Sequence, residues 1–237
     1  MKKYPLICLM IALILTGCGK SEEDMPEIEE SEVQVTVENM EMPVTLQETV
    51  TTNLVWVEAG NYCGSGYIWE MDDNLLVVTA AHVLKDVSQG VVLRLWDGYR
   101  VGVDEHFICK NSDLAFLKVD SERIPLFRKD LYAKASLEKS ALDRIEKGAP
   151  LFAMGYTGSD KVCINKGMLT DKWIYVDDME QYMILAEMDI VHGMSGGALL
   201  DSEGYCIGII SGKNEEGEIV AVPFHVITAE LYSVAWS

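Results

Sequence analysis

Basic residues are scarce in this chain of 237 residues: 19 Lys and Arg stand against 38 Asp and Glu, a formal net charge of −19. Binding to a phosphate backbone needs clustered Lys and Arg, so the composition argues against a nucleic-acid partner. Long apolar runs are missing too. The run Leu6–Leu15 near the start is too short to cross a bilayer as a helix. The six cysteines lack paired Cys-x-x-Cys spacing, which argues against zinc. No metal and no cofactor is expected, and no internal repeat is evident.

What is present begins with an address. Met1-Lys2-Lys3 followed by Leu6–Leu15 has the charged and apolar regions of a secretory signal. It ends in Leu15-Thr16-Gly17-Cys18, which resembles the bacterial lipoprotein signal. That resemblance implies a signal peptide over 1–17, cleaved before Cys18, with Cys18 lipidated and the protein held at a membrane surface by its acyl chains. The alternative is an ordinary secreted protein cut nearby. Cleavage removes Lys2 and Lys3 and no acid, so the charge deepens by two. From Cys18 to about Glu48 the chain is acidic and poor in aromatics, with Lys20 its only base. Such a stretch reads as a self-repelling, disordered tether. Cys63, Cys109, Cys163 and Cys206 remain in an exported chain, enough for two disulfides with three possible connectivities. Whether they pair is open.

Residues 49–237 have the texture of a folded domain, long enough for one large all-β domain or two small ones. Short β-prone runs recur at Leu54–Val57, Tyr67–Trp69, Leu75–Val78, Val91–Trp96, Leu114–Val119, Leu151–Met154, Met183–Leu185, Ala198–Leu200, Tyr205–Ile210 and Ile219–Val222. Turn residues such as Gly60-Asn61, Asp97-Gly98 and Glu203-Gly204 punctuate them. This spacing predicts an antiparallel sandwich or barrel. Helices are predicted over Leu137–Lys147 and from Val226 to the end.

The turn Gly193-Met194-Ser195-Gly196-Gly197 surrounds one serine with three glycines. Such a turn exposes a hydroxyl and converges backbone N–H groups beside it, as a nucleophilic serine requires. Thr79-Ala80-Ala81-His82 places an imidazole just past a buried strand, where an adjacent serine could use it as general base. Asn111-Ser112-Asp113 opens the next strong strand with a carboxylate suited to accept the imidazole Nδ1–H. The order His, Asp, Ser along an all-β chain is the order of the chymotrypsin fold.

Gly64-Ser65-Gly66-Tyr67-Ile68, Val77–Val83, Ser112–Val119 and Gly193–Leu199 together resemble a trypsin-like serine protease, closest to the bacterial HtrA type. Gly208–Ser211 and Ala221-Val222-Pro223 extend the match over roughly 53–230. The resemblance implies two six-stranded β-barrels, meeting near 125–150 in the chain, with the active site between them. It makes Ser195 the nucleophile, His82 the base and Asp113 its orienter, with the N–H groups of Gly193 and Ser195 as the oxyanion hole. Ser211 is implied to lie beside Asp113, and Ile210, Ser211 and Gly212 to offer backbone to an extended peptide or protein substrate.

Departures from the pattern qualify these roles. Met194 replaces the Asp of digestive trypsins and the Asn usual in HtrA proteins, so activation by an Asp–N-terminus ion pair is excluded. The oxyanion turn is then either held another way or collapsed until substrate binds. The chain ends at Ser237 without the PDZ domain usual in HtrA proteins. Val83 stands where trypsins commonly carry a cysteine, leaving Cys63 without its usual partner. For specificity two readings stay open: Asp189 as a receptor for Arg or Lys, or an apolar pocket lined by Ile190 with Asp189 turned away. The functional expectation is a serine endopeptidase of the bacterial cell envelope. The alternative is a protease fold kept as a silent binding module, and a non-proteolytic esterase is a third.

Overall fold

The computed structural model describes residues 47, 50–71, 74–125, 141–158, 161–177 and 180–236. The leader, Cys18 and all of the acidic tether but Gln47 lie outside these residues.

The first half is one antiparallel sheet of β1 (Leu54–Ala59), β2 (Tyr62–Met71), β3 (Asn74–Thr79), β4 (Val91–Arg94), β5 (Arg100–Gly102), β6 (Glu105–Ile108) and β7 (Ala115–Asp120), ordered β5-β4-β1-β2-β3-β7-β6. Its two edges are neighbours in the chain, separated only by Val103 and Asp104. The Val103 N–H donates to Val91 O at 2.8 Å and the Asp104 N–H to Lys118 O at 2.9 Å, so the backbone steps from one edge to the other. The expected six-stranded first barrel is thus a curled seven-segment sheet in which β5 and β6 are two parts of one bent strand. The second half closes fully. β8 (Pro150–Tyr156), β9 (Val162–Val176), β10 (Gln181–Glu187), β11 (Ala198–Leu200), β12 (Cys206–Lys213) and β13 (Ile219–Pro223) form a six-stranded barrel ordered β10-β13-β12-β11-β8-β9.

Strand periodicity sorts the apolar residues into three cores. In β1, Val55, Val57 and Ala59 fill the first sheet, while Leu54 and Trp56 face the second barrel. β3 and β7 do the same, with Leu75, Val77, Ala115 and Leu117 inside and Leu76, Val78, Leu114 and Phe116 between the halves. β8, β10 and β13 mirror this from the other side: Leu151, Ala153, Ile184, Ala186, Ile219 and Ala221 fill the barrel, and Phe152, Met154, Met183, Leu185, Val220 and Val222 face the first sheet. A strand covered on both faces reads as an unbroken apolar run, which is why these segments do not alternate with polar residues. Each such Val or Leu contributes roughly 1.5–3 kcal/mol by leaving water.

Helix is minor. α1 (Ala141–Arg144) falls within the predicted 137–147 helix, whose first four positions lie outside the described residues. α2 (Phe224–Ser233) begins two residues before the predicted start and packs Phe224 on Trp69, ring centroids 5.0 Å apart. Among the described residues no helix is long and apolar enough to cross a membrane.

Candidate active site

Three candidate side chains come from three different elements. His82 sits in the 3-10 turn Ala81–Leu84 that follows β3. Asp113 lies just before β7, which is paired to β3 along its whole length, so the ladder sets the spacing of the two. The His82 Nδ1 lies 2.8 Å from Asp113 Oδ2, and the His82 backbone N–H donates to Asp113 Oδ1 at 3.0 Å. An ionised carboxylate only accepts, so Nδ1 carries the proton and Nε2 of a neutral ring presents its lone pair. Burial alone raises the Asp113 pKa, but the hydrogen bonds and charge of His82, with the Ser211 hydroxyl, outweigh it and hold the carboxyl below its usual value.

Ser211 arrives through a β-bulge. Ile210 pairs with Ala221 and Gly212 with Val220, so Ser211 is an extra residue in β12 without a cross-strand place. Bulges re-aim side chains. Here the Ser211 hydroxyl donates to Asp113 Oδ2, and its carbonyl accepts the Ser195 hydroxyl at 3.4 Å.

Ser195 is half-buried in the glycine turn. Gly193 and Gly196 have φ of +99° and +83°, the left-handed region that favours glycine. Space demands glycine there as well: a Cβ on Gly196 would fall 2.1 Å from Ser65 O, and one on Gly193 would fall 2.9 Å from Gly158 N. His192 O accepts the Gly158 N–H at 2.9 Å. Because the peptide is planar and trans, the Gly193 N–H points the opposite way. Among the described residues neither the Gly193 nor the Ser195 N–H has an acceptor. The site therefore holds a hydroxyl, an imidazole oriented by a carboxylate, and two open N–H donors beside the hydroxyl.

Residues 64–209 match the family model described as the trypsin-like peptidase domain. The chain belongs to the trypsin-like peptidase family, a family of serine hydrolases. Among its relatives is a Staphylococcus epidermidis protein named "Serine protease HtrA-like", 31% identical over 228 residues, covering 88% of this chain and 36% of that protein. Another is "Serine protease HTRA2, mitochondrial" of Drosophila willistoni, 27% identical over 173 residues, covering 73% of this chain and 38% of the relative. This chain spans a little over a third of the length of those relatives. Two solved structures, titled as the HtrA-type protease AlgW with a decapeptide and with a tripeptide, share the fold. They align at TM-scores of 0.66 and 0.67 with 19% and 21% identity, covering 79% of this chain and 66% and 62% of theirs.

In this trypsin-like peptidase the specificity candidates separate. The Asp189 carboxylate is 98% exposed, 3.7 Å from Lys213 Nζ, while its backbone carbonyl accepts Asn165 Nδ2 at 2.7 Å. Ile190 is half-buried against the barrel core. Ile210 departs from its expected role: its side chain is fully buried, and its N–H and C=O are bonded to Gly197 O and Gly196 N at 2.8 and 2.7 Å. The bulge that frees Ser211 leaves Ile210 inside the ladder. Gly212 remains half-buried at the strand end.

Met194 is fully buried in the barrel core, and its Sδ accepts the Val191 N–H at 3.5 Å. None of Cys63, Cys109, Cys163 and Cys206 is in a disulfide. Burial pushes the Cys109 and Cys206 thiols up to about 12. Among the described residues no group of three or more His, Cys, Asp or Glu is placed to hold a metal ion. Ser65 had no role in the sequence reading. It is a fully buried serine between two glycines, and the glycine flanks are the only signal that marked it.

Proposed function

We propose that the chain is a serine endopeptidase acting through Ser195, His82 and Asp113. The observation that carries this reading is the two-point hold of Asp113 on His82, through backbone N–H and Nδ1, together with Ser211, whose hydroxyl donates to Asp113 and whose carbonyl accepts the Ser195 hydroxyl. The Ser195 hydroxyl leaves Ser211 O, gives its proton to His82 Nε2, and Oγ bonds to the substrate carbonyl carbon. The oxygen that becomes negative is received by the Gly193 and Ser195 N–H groups, each such donor worth about 3–4 kcal/mol of barrier. The C–N bond then breaks as His82 returns the proton to the leaving amine, and water hydrolyses the acyl-enzyme by the reverse use of His82. Asp113 stabilises the imidazolium throughout. No cofactor takes part.

The substrates are peptides or proteins, with an apolar side chain seated near Ile190 and the backbone of Ser211 and Gly212 beside the substrate strand. The relatives named as HtrA-type proteases and the AlgW structures titled with peptides support this class. The resemblance of Met1–Cys18 to a bacterial lipoprotein signal supports a location at a membrane surface outside the cytoplasm. Digestion of an unfolded protein substrate tests the activity: the parent cleaves it, and Ser195→Ala and His82→Ala leave it intact. Intact substrate with a folded parent removes the proposal. Detergent-phase partitioning that Cys18→Ser abolishes is the corresponding test of the anchor.

A further inference from the structure

Ser65 is a node where four parts of the molecule meet. It lies in β2, is fully buried, and all its polar groups have partners, three of the four bonds reaching residues far along the chain. Its N–H donates to Ser195 O at 2.8 Å, and its carbonyl accepts the Thr79 hydroxyl at 2.6 Å. Its Oγ accepts the Tyr156 N–H at 2.7 Å and lies 2.8 Å from Gly193 O. An amide nitrogen only donates, so the single Ser65 hydroxyl proton is directed to Gly193 O.

The consequence appears when the carbonyls of the turn are followed one by one. His192 O is held by the Gly158 N–H, Gly193 O by the Ser65 hydroxyl, Met194 O by the Gly197 N–H at 2.9 Å, and Ser195 O by the Ser65 N–H. Every carbonyl from His192 to Ser195 is thus tied away from the two open N–H groups. Turning the 192–193 peptide to bring its oxygen inward would break the Gly158 bond and disturb Gly193 O on its neighbour. Two of the four ties come from Ser65. Met194 forms no ion pair; these ties act beside the Gly196 N–H on Ile210 O, the Ile210 N–H on Gly197 O and the packing of Met194 in the barrel core.

We infer that Ser65 is the positioning residue of the oxyanion hole, holding the turn open before substrate arrives. This rests on the proposed use of the Gly193 and Ser195 N–H groups. The side chain touches no substrate and acts through the Gly193 and Ser195 carbonyls. An unanchored turn costs transition-state binding and leaves ground-state binding alone, so the effect falls on kcat and not on KM.

The experiment compares the full-length parent with Ser65→Ala, Ser65→Cys and, as a matched destabilised control, Val119→Ala, a buried residue of the first-sheet core remote from the turn. Steady-state hydrolysis of a peptide substrate and hydrogen exchange at the Gly158 amide are read on each. Ser65→Ala is expected to lower kcat about 10- to 100-fold with KM within about 2-fold, since removing an oxyanion donor outright costs 10²–10³. Ser65→Cys, close in size with a weaker donor, falls between, and covers the case in which the alanine variant does not fold. Val119→Ala keeps the parental kcat. Gly158 is protected in the parent and loses protection in both Ser65 variants, which follows the turn without relying on catalysis. A folded Ser65→Ala or Ser65→Cys with parental kcat and parental Gly158 protection overturns the inference. A parent that turns over no substrate overturns the proposed function instead, while Gly158 exchange still decides whether Ser65 holds the turn.

Discussion

The Ser211 hydroxyl donates to Oδ2 of Asp113, the same oxygen that receives the His82 Nδ1–H. It is there because one residue is inserted into β12 at the bulge, turning a strand side chain toward a loop of the other half. Ser211→Ala removes this donor and keeps the carbonyl beside Ser195. We expect kcat to fall about 3- to 10-fold, the loss of one charge-assisted hydrogen bond of about 1–2 kcal/mol partly replaced by water. Steady-state kinetics of the variant beside the parent measure it.

Asp113 also gives the stability a pH dependence. Its carboxyl is held below the ordinary Asp value of 3.8, so the unfolded chain takes up its proton first as pH falls. The contribution is complete above the unfolded value and is lost as pH drops through the folded one. Denaturant titrations between about pH 6 and 3 are expected to show Asp113→Asn less stable than the parent at the upper end. The difference narrows toward the lower end. A gap that stays constant across this range rules out the ionised Asp113 carboxylate as its source.

Asp189 is expected to be silent in specificity. Its carboxylate faces water and Lys213, and an exposed pair of this kind contributes about 0–1 kcal/mol. Profiling P1-Arg against P1-Val and P1-Ala peptides is expected to show no preference for Arg, with the same profile in Asp189→Ala. A preference for Arg that the substitution abolishes assigns the pocket to Asp189.

Met194 fills the barrel core from inside the nucleophile turn, with Gly155 directly against it: a Cβ on Gly155 would meet Met194 Cα at 2.8 Å. Met194→Ala empties that space. The expected cost is about 2–4 kcal/mol in chemical denaturation, the range for a buried large-to-small change. A cost under about 1 kcal/mol indicates that the turn collapses to fill the gap.

Cysteine reactivity follows burial. Cys109 and Cys206 are buried with thiols raised to about 12, whereas Cys63 and Cys163 are half-buried. Thiolate is the reacting form. Residue-resolved mass spectrometry after iodoacetamide at pH 8 is expected to find Cys63 and Cys163 modified well before Cys109 and Cys206.

The strands most legible in the sequence are those pressed between two cores. β3, β8 and β13 carry unbroken apolar runs because both of their faces are buried, and β1 and β7 open with such runs before Glu58 and Lys118 interrupt them. β9 escaped the sequence reading although it is a 15-residue strand, since the polar pairs Asn165-Lys166 and Asp171-Lys172 interrupt its apolar pattern. β5 and β6 escaped for their shortness and because together they make one bent strand. At the site, His82, Asp113 and Ser195 stood out because each follows or opens a strong run or sits among glycines. Ser65 did not, because its importance lies in partners 91 to 130 residues away that only the meeting of the two halves creates. The fate of Ile210 was equally hidden, since a one-residue bulge decides which of two neighbours faces outward.

The most direct test of the account is fluorophosphonate labelling of the purified protein beside Ser195→Ala and His82→Ala. Rapid labelling of the parent at Ser195, absent in Ser195→Ala and slowed at least about 10³-fold in His82→Ala, is the expected result for a nucleophile activated by an oriented imidazole. A well-folded parent that does not label, or a His82→Ala variant that labels as fast as the parent, contradicts it.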